Sequence, residues 1–209
     1  MARNQVAPTR TNLLRVKGDL SFAREGYDLL EQKREILVLE LKRFTARAVE
    51  AQRKADAELA AAFNALKNAE LTSGIAETSL AALAVNIEPE IALSQRRVMG
   101  VALPAVNLSL RETAPHYGRT GTSVWTDEAV RRFKNALTAL GALAESRISV
   151  IRLAREIQKT IRRVNALEKV LIPEHVETLQ YVASSLEESD REAFSILKLV
   201  KDRLEARGR

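Results

Sequence analysis

The chain has 209 residues, a formal net charge of +6, five Phe, three Tyr, one Trp and no Cys. The missing cysteines exclude a disulfide framework and a thiolate metal site, and no apolar run is long enough for a membrane-spanning helix. Few aromatics beside 46% hydrophobic residues, chiefly Ala, Leu and Val, is the composition of long helices rather than of a compact core.

Residues 1–74 predict one long helix. Stepping by three and four from Leu13 gives Val16, Leu20, Ala23, Tyr27, Leu30, Arg34, Leu37, Leu41, Phe44, Ala48, Ala51, Ala55, Glu58, Ala62, Ala65 and Ala69. Only Arg34 and Glu58 are strongly polar, so one seam faces one partner for about eight heptads. At 1.5 Å per residue this is a helix of roughly 90 Å, far beyond a globular one. The seam turns from Leu-rich to Ala-rich after Phe44, where small residues allow close helix approach. Tyr27 is expected in the core. Arg34 either snorkels or pairs with a carboxylate across the seam.

Residues 75–125 break the pattern with Pro89, Gly100, Pro104, Pro115, Gly118 and Gly121. Ile75–Val85 reads as a short helix or a continuation of the first. The alternating run Asn107–Arg111 suits a half-buried strand, and a small β-hairpin is expected around Val98–Leu110. The wider segment 88–111 is expected to lie outside the helical shaft, followed by an exposed loop near Arg119.

Residues 126–209 predict the second long helix. Thr126 is the expected N-cap, Asp127 and Glu128 suit the first turn, and Trp125 is placed to staple onto Val130. Heptad stepping gives Val130, Phe133, Leu137, Leu140 and Ala144, then a register shift near Ile148, then Val150, Leu153, Ile157, Thr160, Val164, Leu167 and Leu171. Pro173 is expected to kink or interrupt the helix. Val176, Leu179, Ala183, Leu186, Asp190, Ala193, Leu197, Val200 and Leu204 continue the pattern beyond it in a new register. The fold class is therefore all-α: a long antiparallel two-helix coiled coil with a small hairpin and loop inserted in the middle. Pairing between two copies of the chain is the alternative way to bury these seams.

The sequence offers no active site. There is no phosphate-binding G-x-x-x-x-G-K-[ST] loop, and Gly118–Gly121 is too short to replace one. The two histidines, His116 and His175, lack neighbours at ligand spacing. Neither cofactor nor metal is expected. Basic pairs at Arg96-Arg97, Arg131-Arg132 and Arg162-Arg163 keep a basic coiled-coil scaffold or a nucleic-acid-binding protein as the rival reading. They are spread out, without interleaved aromatics for base stacking. The opening Met1–Gln5 has no apolar core of a secretory signal, so a cytoplasmic setting is expected.

Two stretches carry a family resemblance. Pro8-Thr9-Arg10-Thr11-Asn12-Leu13-Leu14-Arg15-Val16-Lys17 leads into Ala23 through Glu35. Arg162-Arg163-Val164-Asn165-Ala166-Leu167-Glu168 precedes Ile172-Pro173, then Glu187 through Glu192 and Leu197-Lys198. Together they closely resemble the D subunit of V-type (V/A-type) rotary ATPases and ATP synthases. The resemblance implies a non-catalytic central-stalk shaft whose coiled coil enters the catalytic hexamer of A and B subunits. Its side would bind the small F subunit, and its lower end would couple through a further subunit to the membrane rotor ring. No nucleic-acid partner and no direct membrane insertion are implied. Candidate partner contacts are Arg162, Arg163, Asn165 and Glu168 in the second motif, with Lys198 and Lys201 in a cationic sleeve near the chain ends. Asn165 is equally readable as a register-fixing polar contact.

Overall fold

Arg10 to Ser73 forms a single helix of 64 residues, α1 (Arg10–Ser73), in the computed structural model, which describes residues 6–112, 117–118 and 121–207. The helix has no internal proline, and Thr9 caps it by accepting the Asn12 N–H on its hydroxyl at 3.2 Å. It stops at Gly74, whose φ of +89° suits glycine. There follow α2 (Ile75–Ala84), β1 (Ile87–Val98), β2 (Val101–Glu112), α3 (Val124–Ala166), a π-helical turn (Leu167–Leu171) and α4 (Ile172–Arg207). The molecule is thus mainly helical with one two-stranded insertion. It divides into two compact units: Glu35–Gln158, and the residues up to Arg34 with those from Lys159 onward.

In the unit Glu35–Gln158, α1 and α3 run antiparallel. Leu37 and Phe44 share a core cluster with Leu153 and Ile157, Ala55 clusters with Ala139 and Leu143, and the Phe63 and Phe133 rings meet edge to face at 5.5 Å. Numbers rise along α1 as they fall along α3. Every fully buried residue of α1 in this unit is a predicted seam position: Leu37, Phe44, Ala55, Ala62, Ala65 and Ala69. Seam residue Glu58 feels the charge of Arg132, which also donates to Glu128 at 2.8 Å. The Glu128 carboxylate is held below its ordinary range, first by the Arg132 hydrogen bond. Arg34, on the other unit, pairs with Glu31 of its own helix rather than across the seam.

The predicted α3 seam is corrected by one residue in its first half. Ala129, Ala136, Ala139, Leu143 and Ser146 are buried, whereas Leu137 and Leu140 are 40% and 36% exposed. With half-buried Arg132 and Val150, these positions run in unbroken steps of three and four into Leu153, Ile157, Thr160 and Val164. No register shift occurs near Ile148. The Ala-rich half of α1 brings the helices close, so small residues of α3 together with Leu143 fill the seam while Leu137 and Leu140 stand beside it. The N-cap is also corrected. The helix starts at Val124, and Thr126 sits in its first turn, its hydroxyl 3.4 Å from the Ser123 N–H and hydroxyl. Ser123 is the residue before the helix, and its carbonyl accepts the Thr126 N–H at 3.0 Å. Trp125, inside that turn and 44% exposed, is not in the expected staple position.

The hairpin is longer than predicted, with twelve paired residues per strand and its turn at Met99-Gly100. It is also not outside the helical core. Leu103 on β2 is 1% exposed and joins Leu37, Phe44, Leu153 and Ile157. Burying such a side chain is worth about 1.5–3 kcal/mol. The Arg47 and Arg96 guanidiniums lie 5.5 and 5.6 Å from the Phe44 ring centroid, a cation–π contact that ties β1 to α1. Met99 and Gly100 have φ of +49° and +83°, both left-handed as a type I′ turn requires. Methionine has no intrinsic preference for that region and asparagine does. Met99→Asn should raise stability by about 0.5 kcal/mol, measured by urea denaturation. An unchanged or lower midpoint would contradict the turn assignment.

In the other unit, Val16, Leu20 and Ala23 of α1 are buried, as are Thr160 and Val164 of α3 and Val182 of α4. Tyr27 is half-buried. Arg10, at the start of α1, lies 3.3 Å from Asp190 on α4, so the helices are again antiparallel. The interruption expected at Pro173 is a change of hydrogen bonding rather than a break. Proline lacks an N–H and crowds the carbonyl four residues back. Just before it the helix widens, and the Ile172 N–H donates to the Leu167 carbonyl, five residues back. The extra residue slips the register by one. The covered positions include Ile172, His175 and the predicted Leu179 and Leu186, with Val182 fully buried where the predicted Ala183 is half-buried. From Glu187 to Leu204 every residue is exposed. The predicted seam through Ala193, Leu197, Val200 and Leu204 has no cover among the described residues, because α1 begins opposite Asp190.

Candidate functional site

No described residues form a group of three or more metal-ligating side chains. His175 is half-buried, and His116 and Arg119 lie outside the described residues. A groove of about 440 Å³ between α1 and α3 is lined by Arg47, Glu50, Lys54, Glu58, Asn135, Ala139 and others. Its cations and carboxylates alternate, so no donor set converges on a phosphate. The structure offers surfaces for partners rather than a chemical site.

The predicted contact residues fall into two groups. Arg162, Arg163, Asn165 and Glu168 are all exposed at the end of α3 and the start of the π turn. Arg162, Asn165 and Glu168 recur every three residues and share one side of the helix. Buried Val164 faces inward between them. Asn165 is therefore a surface residue, not a seam contact. Lys198 and Lys201, also exposed, stand on the uncovered part of α4. At 1.5 Å per residue they are about 50 Å along the helix from the first group, so the six residues do not form one site.

Two exposed apolar sets are not marked as sites by the sequence. On α4, Phe194, Leu197, Val200 and Leu204 are 72%, 66%, 47% and 65% exposed. In the other unit, Leu71, Ile75, Leu80, Leu83 and Val124 are exposed around α2 and the start of α3. The second junction is held in part by Tyr117, which donates to Asp127 at 2.7 Å. Burial and that carboxylate push the phenol up to about 12, so it remains a donor at neutral pH. Adjacent apolar residues without cover mark interaction surfaces. In the sequence they look like ordinary heptad residues, and only the length of the opposing helix distinguishes them.

Comparison with known proteins fits this picture. The family model described as the D subunit of ATP synthase matches residues 12–202. The chain belongs to the ATP synthase D-subunit family. It is similar to the A-type ATP synthase D subunit of Thermococcus sibiricus, with 37% identity over 206 residues, covering 97% of this chain and 96% of that one. The corresponding protein of Methanopyrus kandleri is 36% identical over 202 residues, covering 96% of this chain and 87% of its own. That of Methanosphaera stadtmanae is 34% identical over 209 residues, covering 97% of this chain and 96% of its own. Family membership makes the chain a non-catalytic central-stalk subunit of a rotary ATP synthase.

Proposed function

We propose that the chain is the torque-carrying shaft between a catalytic hexamer of A and B subunits and a membrane rotor ring, with the small F subunit on its flank. The observation that carries this reading is the stretch Glu187–Leu204, helical, rich in apolar residues and covered by none of the described residues. Such a surface calls for an enclosing partner, and the hexamer's interior is one. Lys198 and Lys201 give it diffuse positive charge. A stalk turning against equivalent walls is served by apolar bulk and spread charge, not by one directional bond. The apolar set around α2 is assigned to the subunit that joins the shaft to the ring. Arg162, Arg163, Asn165 and Glu168 are assigned to acidic and polar groups of the hexamer or of the F subunit. The shaft works at the cytoplasmic face of the membrane, held there by other subunits. No helix among the described residues is long and apolar enough to cross a membrane.

The test is a pull-down of the full chain from native membranes. Recovery of A, B and F partners supports the reading, and recovery of nucleic acid in their place refutes it. Two quantitative expectations accompany it. Calorimetry with ATP on the purified chain should show no saturable binding, since no phosphate cradle is present. Micromolar affinity would rule out a purely mechanical role. Arg10→Ala should change stability and hexamer affinity by less than about 1 kcal/mol, because the Arg10–Asp190 pair is exposed on both sides. A loss several times larger would point to a directional anchor.

A further inference from the structure

The two outer edges of the hairpin are treated differently. With a two-residue turn at Met99-Gly100, Val98 and Val101 form a hydrogen-bonded pair. Strict alternation then turns the backbone groups of Ala102, Pro104, Val106 and Leu108 outward on β2, and those of Pro89, Ile91, Leu93, Gln95 and Arg97 outward on β1. On β2 those groups are answered from α3. Glu145 accepts the Val106 N–H at 2.9 Å, and Arg152 donates to the Ala102 carbonyl at 2.8 Å. Pro104 has no N–H to satisfy. On β1, among the described residues, no hydrogen bond reaches the outward N–H groups from Ile91 to Arg97.

An open strand edge of this kind is a template for another strand. The side chains agree with the backbone. Ile91 and Leu93 are 59% and 74% exposed, and they sit on the same sheet face as their cross-strand partners Leu108 and Val106. The apolar face therefore continues from helix-covered β2 onto uncovered β1. Proline blocks the edge at Pro89, which limits a ladder to Ile91–Arg97. The far end carries positive charge at Arg97.

We propose that β1 accepts an extended strand from another subunit of the rotary complex, with apolar residues opposite Ile91 and Leu93 and a carboxylate beside Arg97. A second copy of this chain fits poorly. Antiparallel pairing of Ile91–Arg97 with itself sets Arg97 against Ile91 and Leu93 against Gln95, and supplies no carboxylate. Parallel in-register pairing sets Arg97 against Arg97.

This inference rests on the stalk reading, and the experiment separates the two. Amide hydrogen exchange is measured residue by residue on the full chain alone and within the complex purified from native membranes. In the free chain the amides of Ile91, Leu93, Gln95 and Arg97 should exchange fast, and those of Ala92, Ser94 and Arg96 slowly. In the complex the first set should slow by about tenfold or more. Gln95→Pro removes one outward donor, breaks no β1–β2 hydrogen bond and leaves Ile91 and Leu93 in place. It should weaken retention of the folded chain in the complex severalfold. Fast exchange of the outward amides inside the complex overturns the proposal, as does full retention of the Gln95→Pro chain. Protection that appears in the chain alone and grows with its concentration assigns the edge to a second copy, and overturns it too. If the chain is absent from the complex, the stalk reading fails and takes this one with it.

Discussion

Replacing Ala139 by Leu is expected to destabilise the unit Glu35–Gln158 by about 1–3 kcal/mol, the usual cost of overpacking. Leu140→Ala, one residue away, should cost about 1 kcal/mol or less, since its side chain is only partly removed from water. The contrast inverts the ordinary rule that large apolar residues of a coiled coil are the ones that matter. Ala139 is 7% exposed and clusters with Ala55, itself fully buried, and Leu143. Three added carbons must press on the Ala55–Leu143 contact, against which Ala51 also packs, or turn into the groove that Ala51 and Ala139 line. Leu140, 36% exposed, already stands partly in solvent. Chemical denaturation of both variants decides the matter. If Leu140→Ala proved the costlier change, the predicted seam would be right and the one described for α3 wrong.

Ending the chain at Leu186 is expected to lower affinity for the A/B hexamer by about 100-fold, or about 2.7 kcal/mol, while hardly changing the melting of the remaining protein. Residues Glu187–Leu204 include no buried side chain. Their removal breaks only the exposed Arg10–Asp190 pair between the helices among the contacts described. Most large stability losses need a cavity or an orphaned buried group, and neither is created here. What is lost is the uncovered apolar surface of Phe194, Leu197, Val200 and Leu204, and roughly 30 Å of helix at 1.5 Å per residue. Binding of the F subunit should survive if it docks lower on the shaft. Reconstitution with the shortened chain, scoring the two affinities separately, tests this. Loss of F binding with hexamer assembly intact would reverse the assigned polarity.

The α1 seam is legible in the sequence because Leu, Phe and Ala repeat there with little competition from neighbouring apolar residues. The α3 seam is not. Leu137 and Leu140 outweigh Ala136 and Ala139 on any scale of hydrophobicity, and only the alanines of the opposing helix explain why the smaller residues win. The hairpin is recognisable by its prolines and alternation. Its true turn is hidden because Met-Gly is not one of the residue pairs that favour positive φ at both positions. The prolines themselves mislead. Pro89 and Pro104 read as breaks, yet both occupy outward backbone positions where a strand needs no N–H. The partner surfaces are the least legible. Phe194 or Leu83 cannot be told from a buried heptad residue until the end of the opposing helix is known, and the motif residues Arg162 and Asn165 announce a family rather than a contact.

The π turn before Pro173 constrains which length changes this helix tolerates. The slip of one residue between Val164 and Val182 is built into the present spacing. Deleting one residue within Leu167–Leu171 would let an ordinary helix run up to the proline. It would remove the extra residue that the widened turn absorbs, so the helix on either side would keep nearly the same facing. Val182 would still face α1, reached from Val164 in unbroken steps of three and four. Losing or gaining three or four residues together would also keep roughly the same side facing α1. Homologous shafts of different length should therefore differ here by the one residue of the widened turn or by whole turns, and single-residue indels elsewhere should be confined to the loops around the hairpin.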